Sequence, residues 1–351
     1  MNNLLIITGA GASHDAASSI YSNVSIDHKP PLTSQLFLAG KRLGLGATHC
    51  VVDYLKRNPI AAQVGYDCPH NQHLETYLAS VKNNRSKELR DRYWSIPIYL
   101  HELFLAISNG YIISDKLGVP SNYTSLITAV IGSAYDQIIW INLNYDLLVD
   151  YAINASSNVA LNTLDDYMNI VTKDGIKIKY TKPHGSVNWY RRNVHKITWD
   201  DIKNNRVPDD FENRLSKEIY TEHTAMADGL LYKEIARFPA ISAPLGKYEY
   251  IYQKHIDMIT PLLKETGSVL CVGFSAFDDD ILTLMANNIR DIKKLKIVSG
   301  GVEEGRKIYG RIAESYMNHG KLLSVDDKVT VSERGFTDFI KSGEINDWLS
   351  L

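Results

Sequence analysis

Four short apolar runs, each stopped by a turn residue, limit what this chain can become. Leu4-Leu5-Ile6-Ile7-Thr8 runs into Gly9, and Gln137-Ile138-Ile139-Trp140-Ile141-Asn142-Leu143 into Asn144. Ser268-Val269-Leu270-Cys271-Val272 runs into Gly273, and Leu295-Lys296-Ile297-Val298 into Ser299-Gly300. Three of these are nearly continuous in apolar residues, the pattern of parallel strands covered on both faces. Helical patterns fill the intervals, and strands alternating with helices predict an open α/β sheet.

The interval after the first run is too long for a simple crossover. Apolar residues recur at helical spacing in Leu32-Thr33-Ser34-Gln35-Leu36-Phe37, in Leu74-Glu75-Thr76-Tyr77-Leu78 and from Ile96 to Ile107. A right-handed crossover needs only a dozen or more residues, so 31–128 is expected to be an inserted helical subdomain. The core is then 1–30 and 129–351, which fits roughly 150 residues per domain for a chain of 351. Lys173-Asp174-Gly175, between Ile170-Val171 and Ile176-Lys177-Ile178, is a hairpin signal. Residues near 190–235 are polar and poorly periodic, so a second, looser insertion is expected there.

Composition removes several functions. Lys and Arg total 38 against 40 Asp and Glu, a net charge of −2, so no basic excess invites direct nucleic-acid binding. No apolar run approaches the roughly 18 residues of a membrane span. Met1-Asn2-Asn3 lacks the basic start of a secretory signal. The three cysteines, Cys50, Cys68 and Cys271, form no Cys-x-x-Cys pair, which argues against a zinc site and for a reducing cytoplasm.

Four motifs sit where strands end. Gly9-Ala10-Gly11-Ala12-Ser13 turns the first strand into a helix, where small residues and helix-start amides suit a pyrophosphate. The plainer reading is a tight turn without ligand, since His14 stands where a dinucleotide fingerprint has its third Gly. Asn142-Leu143-Asn144-Tyr145-Asp146 places an Asn and an Asp at a strand end, where open α/β sheets collect ligands. Alternatively Asn144 ends the strand and Asp146 caps the next helix. Lys182-Pro183-His184-Gly185-Ser186 offers a loop His suited to general-base work near neutral pH, or an ordinary structural one among the 11 histidines. Cys271-Val272-Gly273-Phe274-Ser275 is a second Gly-then-Ser turn. The Asp278-Asp279-Asp280 trio after it reads better as a helix N-terminus than as a metal site.

In this order the motifs resemble the sirtuin family, over roughly two-thirds of the chain. Sirtuins carry Gly-Ala-Gly-x-Ser, then Asn-x-Asp, His-Gly and a late Gly-x-Ser; here these are Gly9–Ser13, Asn144–Asp146, His184-Gly185 and Gly273–Ser275. The departures are specific. Deacylating sirtuins have two Cys-x-x-Cys pairs after the His-Gly motif, and no cysteine lies between Cys68 and Cys271. Their Asp-Phe-Arg has no counterpart at Ser18-Ser19-Ile20-Tyr21, and Leu143 replaces the Gln before the key Asn. Pro30-Pro31-Leu32-Thr33 and Gly273-Phe274-Ser275 with Asp278 look instead like the divergent bacterial branch that hydrolyses NAD in antiphage defence, in particular the members paired with a HerA-type ATPase.

The resemblance implies a Rossmann-like doubly wound parallel sheet with an inserted helical subdomain. It implies an enzyme that takes NAD as substrate and releases nicotinamide and ADP-ribose, without zinc, in a cytoplasmic homo-oligomer. Asn144 would position ribose hydroxyls or the attacking water, His184 would act as base, and Asp146 would hold the nicotinamide carboxamide. Gly9, Ala10, Gly11, Ala12 and Ser13 would cradle phosphates with Gly273 and Ser275, and Ser299 with Gly300 would lie near the adenosine end. The alternatives are an NAD-dependent deacylase or ADP-ribosyltransferase, a non-catalytic NAD or ADP-ribose sensor controlling a partner, and a structural assembly subunit.

Overall fold

The computed structural model describes residues 2–16, 29–37, 49–69, 74–113, 116–117, 121–157, 159–193, 197–222, 237–242, 250–323 and 329–350. The Ser18–Tyr21 stretch and residues 223–235 of the polar segment lie outside them.

The apolar runs become the middle of one sheet. In chain order the strands are β1 (Asn3–Thr8), β2 (Ile112–Ile113), β3 (Lys116–Leu117), β4 (Gln137–Asn142), β5 (Ile170–Val171) and β6 (Lys177–Thr181). They continue with β7 (Gly185–Asn193), β8 (Leu215–Thr221), β9 (Arg237–Ile241), β10 (Thr266–Val272), β11 (Lys294–Val298) and β12 (Val329–Ser332). The main sheet has the order β12-β11-β10-β1-β4-β6-β5, parallel throughout except for β5. The β5–β6 pair is the hairpin that Asp174-Gly175 announces, with Gly175 in the left-handed region at φ +84°.

Every residue of β1 and β4 is buried, so helices must cover both faces there. One row of packed helices comprises Gln253–Leu263, Asp279–Asn288 and Val302–Asn318; a second comprises Ala10–Ala16, Ser121–Ile131, Leu148–Ser156, Gly335–Lys341 and Glu344–Ser350. The chain starts in the middle at β1, moves outward through β4 to β6, then returns to β1's other side at β10 and moves outward again. This is the Rossmann-like, doubly wound α/β order, with its switch point between β1 and β10. A crevice opens at such a point, beyond the carboxyl ends of the two strands.

Between β1 and β4 the described residues form helices at His49–Arg57, Pro59–Asp67, Leu74–Lys82, Lys87–Tyr93 and Ser95–Asn109. The last of these packs on a second sheet, the antiparallel β8-β7-β9. A small core of its own joins the two, with Ile98, Ile202, Phe211 and Phe238 packed around Trp94.

Two histidines are built into these cores as neutral groups. The ring of His101, from Ser95–Asn109, meets the Tyr190 hydroxyl of β7 at 2.9 Å, and His255 donates from Nε2 to the Leu164 carbonyl at 2.8 Å. Burial lowers His101 to about 3 and His255 to about 4. Unfolding returns both to an ordinary value near 6.5, so the unfolded chain binds more protons between pH 4 and 6.5. Stability is therefore full above that window and falls as the pH drops through it. Each histidine is expected to cost on the order of 2 kcal/mol between pH 7.5 and 5. Thermal melts at the two pH values check this, and His255→Gln should flatten the dependence.

Candidate active site

The crevice at the switch point is a cavity of about 780 Å³, within the usual range for a small-molecule or cofactor site. Gly9, Ala10, Gly11 and Ser13 line it from β1, Asn144 and Asp146 from β4, His184 from β6, and Gly273, Ser275 and Asp278 from β10. Pro30 to Ser34, Leu36, Leu74 and Phe104 close one side; Gly300, Glu304 and Arg334 to Phe336 close another. Ala12 and Ser299 are not among the lining residues. Ser299 is buried and its hydroxyl donates to the Gly301 carbonyl, while Gly300 faces the cavity.

Its floor is a contact between two glycine turns. The Gly9 amide donates to Val272 O at 3.1 Å, the Gly11 amide to Gly273 O at 3.1 Å, and the Ala12 amide to Gly9 O at 2.9 Å. These three amides are thus engaged within the fold. Gly273 has φ +57°, and a Cβ there would sit 2.0 Å from the Ala12 nitrogen. Both the backbone conformation and the space require glycine. Gly273→Ala is expected to destabilise the fold by 2 kcal/mol or more, roughly, through overpacking and left-handed strain, read as a lowered denaturation midpoint. His14 fills the position where a third Gly would ease the helix against the sheet. Its Nδ1 donates to Pro30 O at 2.8 Å, fastening the Pro30–Ser34 wall to the floor.

Asn144 follows a strand whose end is tied down from several sides. Trp140 Nε1 donates to the Thr8 hydroxyl, which donates to Asn142 Oδ1, which also accepts the Asn144 amide at 3.2 Å. The Asn144 side chain donates both amide hydrogens, to Gly9 O at 3.0 Å and to Ser13 Oγ at 2.9 Å. Ser13 Oγ lies 3.0 Å from the Tyr123 hydroxyl. Ser13, foreseen as a phosphate contact, is thus buried and engaged with Asn144 and Tyr123. What Asn144 retains toward a ligand is acceptor capacity at Oδ1.

Asp146 is buried, and one of its oxygens accepts the Leu148 amide at 3.1 Å. The other, Oδ2, has no hydrogen-bond partner among the described residues. Burial pushes its carboxyl above the usual range, opposed by the nearby Lys182 charge and the Leu148 amide. Such an oxygen is expensive to leave unmade and cheap to satisfy with a ligand donor.

Lys182 is wholly buried and holds this loop from beneath. Its Nζ donates to Asp146 O at 2.6 Å, Ser186 Oγ at 2.8 Å and Asp150 Oδ2 at 3.2 Å. Asp150 also accepts the Tyr167 and Tyr180 hydroxyls, each at 2.8 Å, and Tyr180 accepts from Asn142 Nδ2. The network is ionic, dry and multiply bonded, which is what a buried charge needs to persist.

His184 is set by the turn that carries it. Gly185 donates its amide to Lys182 O, and Ser242 of the segment after β9 donates its own to His184 O. Gly185 has φ +86°, with Ala240 O 1.8 Å from where a Cβ would be. The His184 ring reaches across the crevice, its Nε2 lying 2.7 Å from Asp278 Oδ2. Asp278 caps the helix Asp279–Asn288 with its other oxygen, which accepts the Ile281 amide at 3.0 Å.

Of the residues singled out in the sequence, Asn144, Asp146, His184 and the Gly9 and Gly273 turns thus meet at one cavity. Sequence reasoning missed the supporting shell of Lys182, Asp150, Tyr123 and Tyr180, and it took Asp278 for a cap without seeing its second contact. Those pairings carry no spacing signal. Among the described residues no group of three His, Cys, Asp or Glu could hold a metal ion, and no helix is long and apolar enough to cross a membrane.

No family model matches the chain, and no curated protein matches it. Two solved structures align over 99% of this chain and 94% of theirs, at 12% identity and a TM-score of 0.38. One is Sir2Tm bound to a propionylated peptide; the other comes from work on the structural basis for sirtuin substrate affinity. A likeness that low lends this site no role, and the chemistry below is argued from the site's own residues.

Proposed function

We propose that this protein hydrolyses the nicotinamide–ribose bond of NAD, giving nicotinamide and ADP-ribose. The observation that carries the reading is the meeting of Asn144 and His184 with the buried Asp146 Oδ2, unpartnered among the described residues, in one switch-point cavity. It is supported by the order of four motifs resembling sirtuins.

Cleavage passes through an oxocarbenium-like state at the ribose, as in glycoside hydrolysis. Nicotinamide leaves as a neutral base, so no strong general acid is needed at that nitrogen. Asp146 Oδ2 accepts from the carboxamide NH₂ and fixes the leaving group in orientation. Asn144, with both its hydrogens spent, accepts from a ribose hydroxyl or the attacking water and so points it. His184 takes the proton from that water. Most of the rate comes from this positioning. Ala10 and Gly11 with Gly273 and Ser275 are small residues against which phosphates approach. Gly300, beside Ser299, lies toward the adenosine end.

In the cell the reaction would serve antiphage defence by depleting cytoplasmic NAD, with activity controlled by assembly into a homo-oligomer or by a HerA-type ATPase. The test is purified protein with NAD, with and without such an ATPase, read as free nicotinamide. Nicotinamide and ADP-ribose in equal amounts are expected. Release only in the presence of an acyl-lysine peptide would turn the reading to deacylation, and tight NAD binding without turnover in either condition would turn it to a sensor.

A further inference from the structure

We propose that Asp278 is a positioning residue for His184, fixing which ring nitrogen carries the proton and thereby making Nδ1 the proton acceptor. The inference rests on the reading of His184 as the base, and it adds a residue from the opposite half of the sheet.

The geometry is a bridge. His184 stands on the loop after β6 and Asp278 on the loop after β10, strands separated by β4 and β1. Their side chains nonetheless meet at 2.7 Å in the cavity, and both residues are buried. A carboxylate accepts only, so a neutral imidazole at that distance places its hydrogen on Nε2. The lone pair is then on Nδ1.

Asp278 is itself held in place. One oxygen is committed to the Ile281 amide, leaving the other for the ring. The loop before it has little freedom. Gly273 and Ala276 both sit at φ +57°, and a non-glycine residue in that region is held there by its surroundings. Arg311 supplies part of that hold, donating from Nη1 to Ser275 O at 2.6 Å with its guanidinium 3.7 Å over the Phe277 ring. Of the acidic trio, only Asp278 is buried. A helix cap alone would not need burial against an imidazole.

In the reaction, the C1′–N bond breaks and its electron pair stays with the nicotinamide nitrogen. The water oxygen bonds to C1′, and the water's proton passes to His184 Nδ1. The imidazolium so formed is stabilised by Asp278 until the proton is lost to solvent. Asp278 neither bonds to the substrate nor gains the proton.

The experiment separates the cap from the contact. Asp278→Ser keeps an N-cap side chain but is too short to reach the ring, while Asp278→Asn keeps the cap oxygen and turns an NH₂, a donor, toward the ring. With ¹⁵N-labelled histidine, long-range ¹H–¹⁵N spectra in alkaline buffer report the tautomer, and His184→Gln identifies the signal. His184 is expected as the Nε2-protonated form in the parent and as a mixture in Asp278→Ser. Nicotinamide release by Asp278→Ser should fall about a hundredfold or more in kcat, with KM little changed, and Asp278→Asn, whose NH₂ favours the Nδ1-protonated ring, should be no more active. An Nδ1-protonated His184 in the parent, or an unaltered tautomer in folded Asp278→Ser, overturns the proposal. So does a parent-like kcat in that variant. If the parent cleaves no NAD, the spectra still decide the pairing, and only the enzymatic reading is lost.

Discussion

Asn144→Ala is expected to give a folded protein from which NAD hydrolysis has disappeared. Losing a group that orients the water or the ribose costs about a hundredfold or more in rate. The structural cost is small by comparison. Gly9 O keeps the Ala12 amide as a donor, and Ser13 Oγ keeps the Tyr123 hydroxyl, so stability should fall by only about 1 kcal/mol. Asn144→Asp sharpens the test because it preserves shape. It removes both donated hydrogens and aims a carboxylate at the Gly9 carbonyl, so it should be at least as inactive and less stable than the alanine variant. His184→Ala should match Asn144→Ala in activity, because Asp278 keeps its bond to Ile281 when the ring is gone. Parent-like nicotinamide release from either alanine variant, with an intact melt, would remove that residue from the mechanism.

Lys182→Met should produce the largest loss of stability. The methionine fills similar volume, but Asp150 is left in the interior with only the two tyrosine hydroxyls around its charge. Breaking a buried pair from one side costs about 3–5 kcal/mol. For a chain of this size the melting temperature should fall by roughly 4–7 °C. The Asp146 carbonyl and Ser186 hydroxyl also lose their donor, so the Asn144–Asp146 loop should loosen and activity fall with stability. Adding Asp150→Leu to Lys182→Met should recover most of the stability, since an apolar replacement for both partners is often neutral. If the double variant is as unstable as the single one, the charge is not what makes the site fragile.

How much of this was legible beforehand depended on range. β1, β4, β10 and β11 were readable because burial on both faces demands continuous apolar residues, which a linear sequence displays. The Asp174-Gly175 hairpin was readable because its turn chemistry is local. The β8-β7-β9 sheet was not, because β7 ends in Tyr190-Arg191-Arg192-Asn193 and β8 begins Leu215-Ser216-Lys217-Glu218, where polar residues mask alternation. β12, only four residues long, carried too little pattern. At the site, the strand-end motifs were visible one by one. Their partners were not: His184 and Asp278 are 94 residues apart, and Lys182 and Asp150 are 32 apart. Such pairs exist only through the sheet order. Nor did the glycine signature reveal that its own amides are largely occupied by the facing turn.

The interlocked glycine turns have a consequence for how the protein is made. β1 is made well before one of its two neighbours, β10, which is encoded about 260 residues later. Until then a strand that is mostly apolar and destined for full burial presents a bare edge, an invitation to mispairing that slow, long-range topologies share. The crevice has no floor in that interval, so the proposed reaction cannot begin on a nascent chain. Synthesis would thus delay the onset of the proposed reaction until β10 folds back against β1.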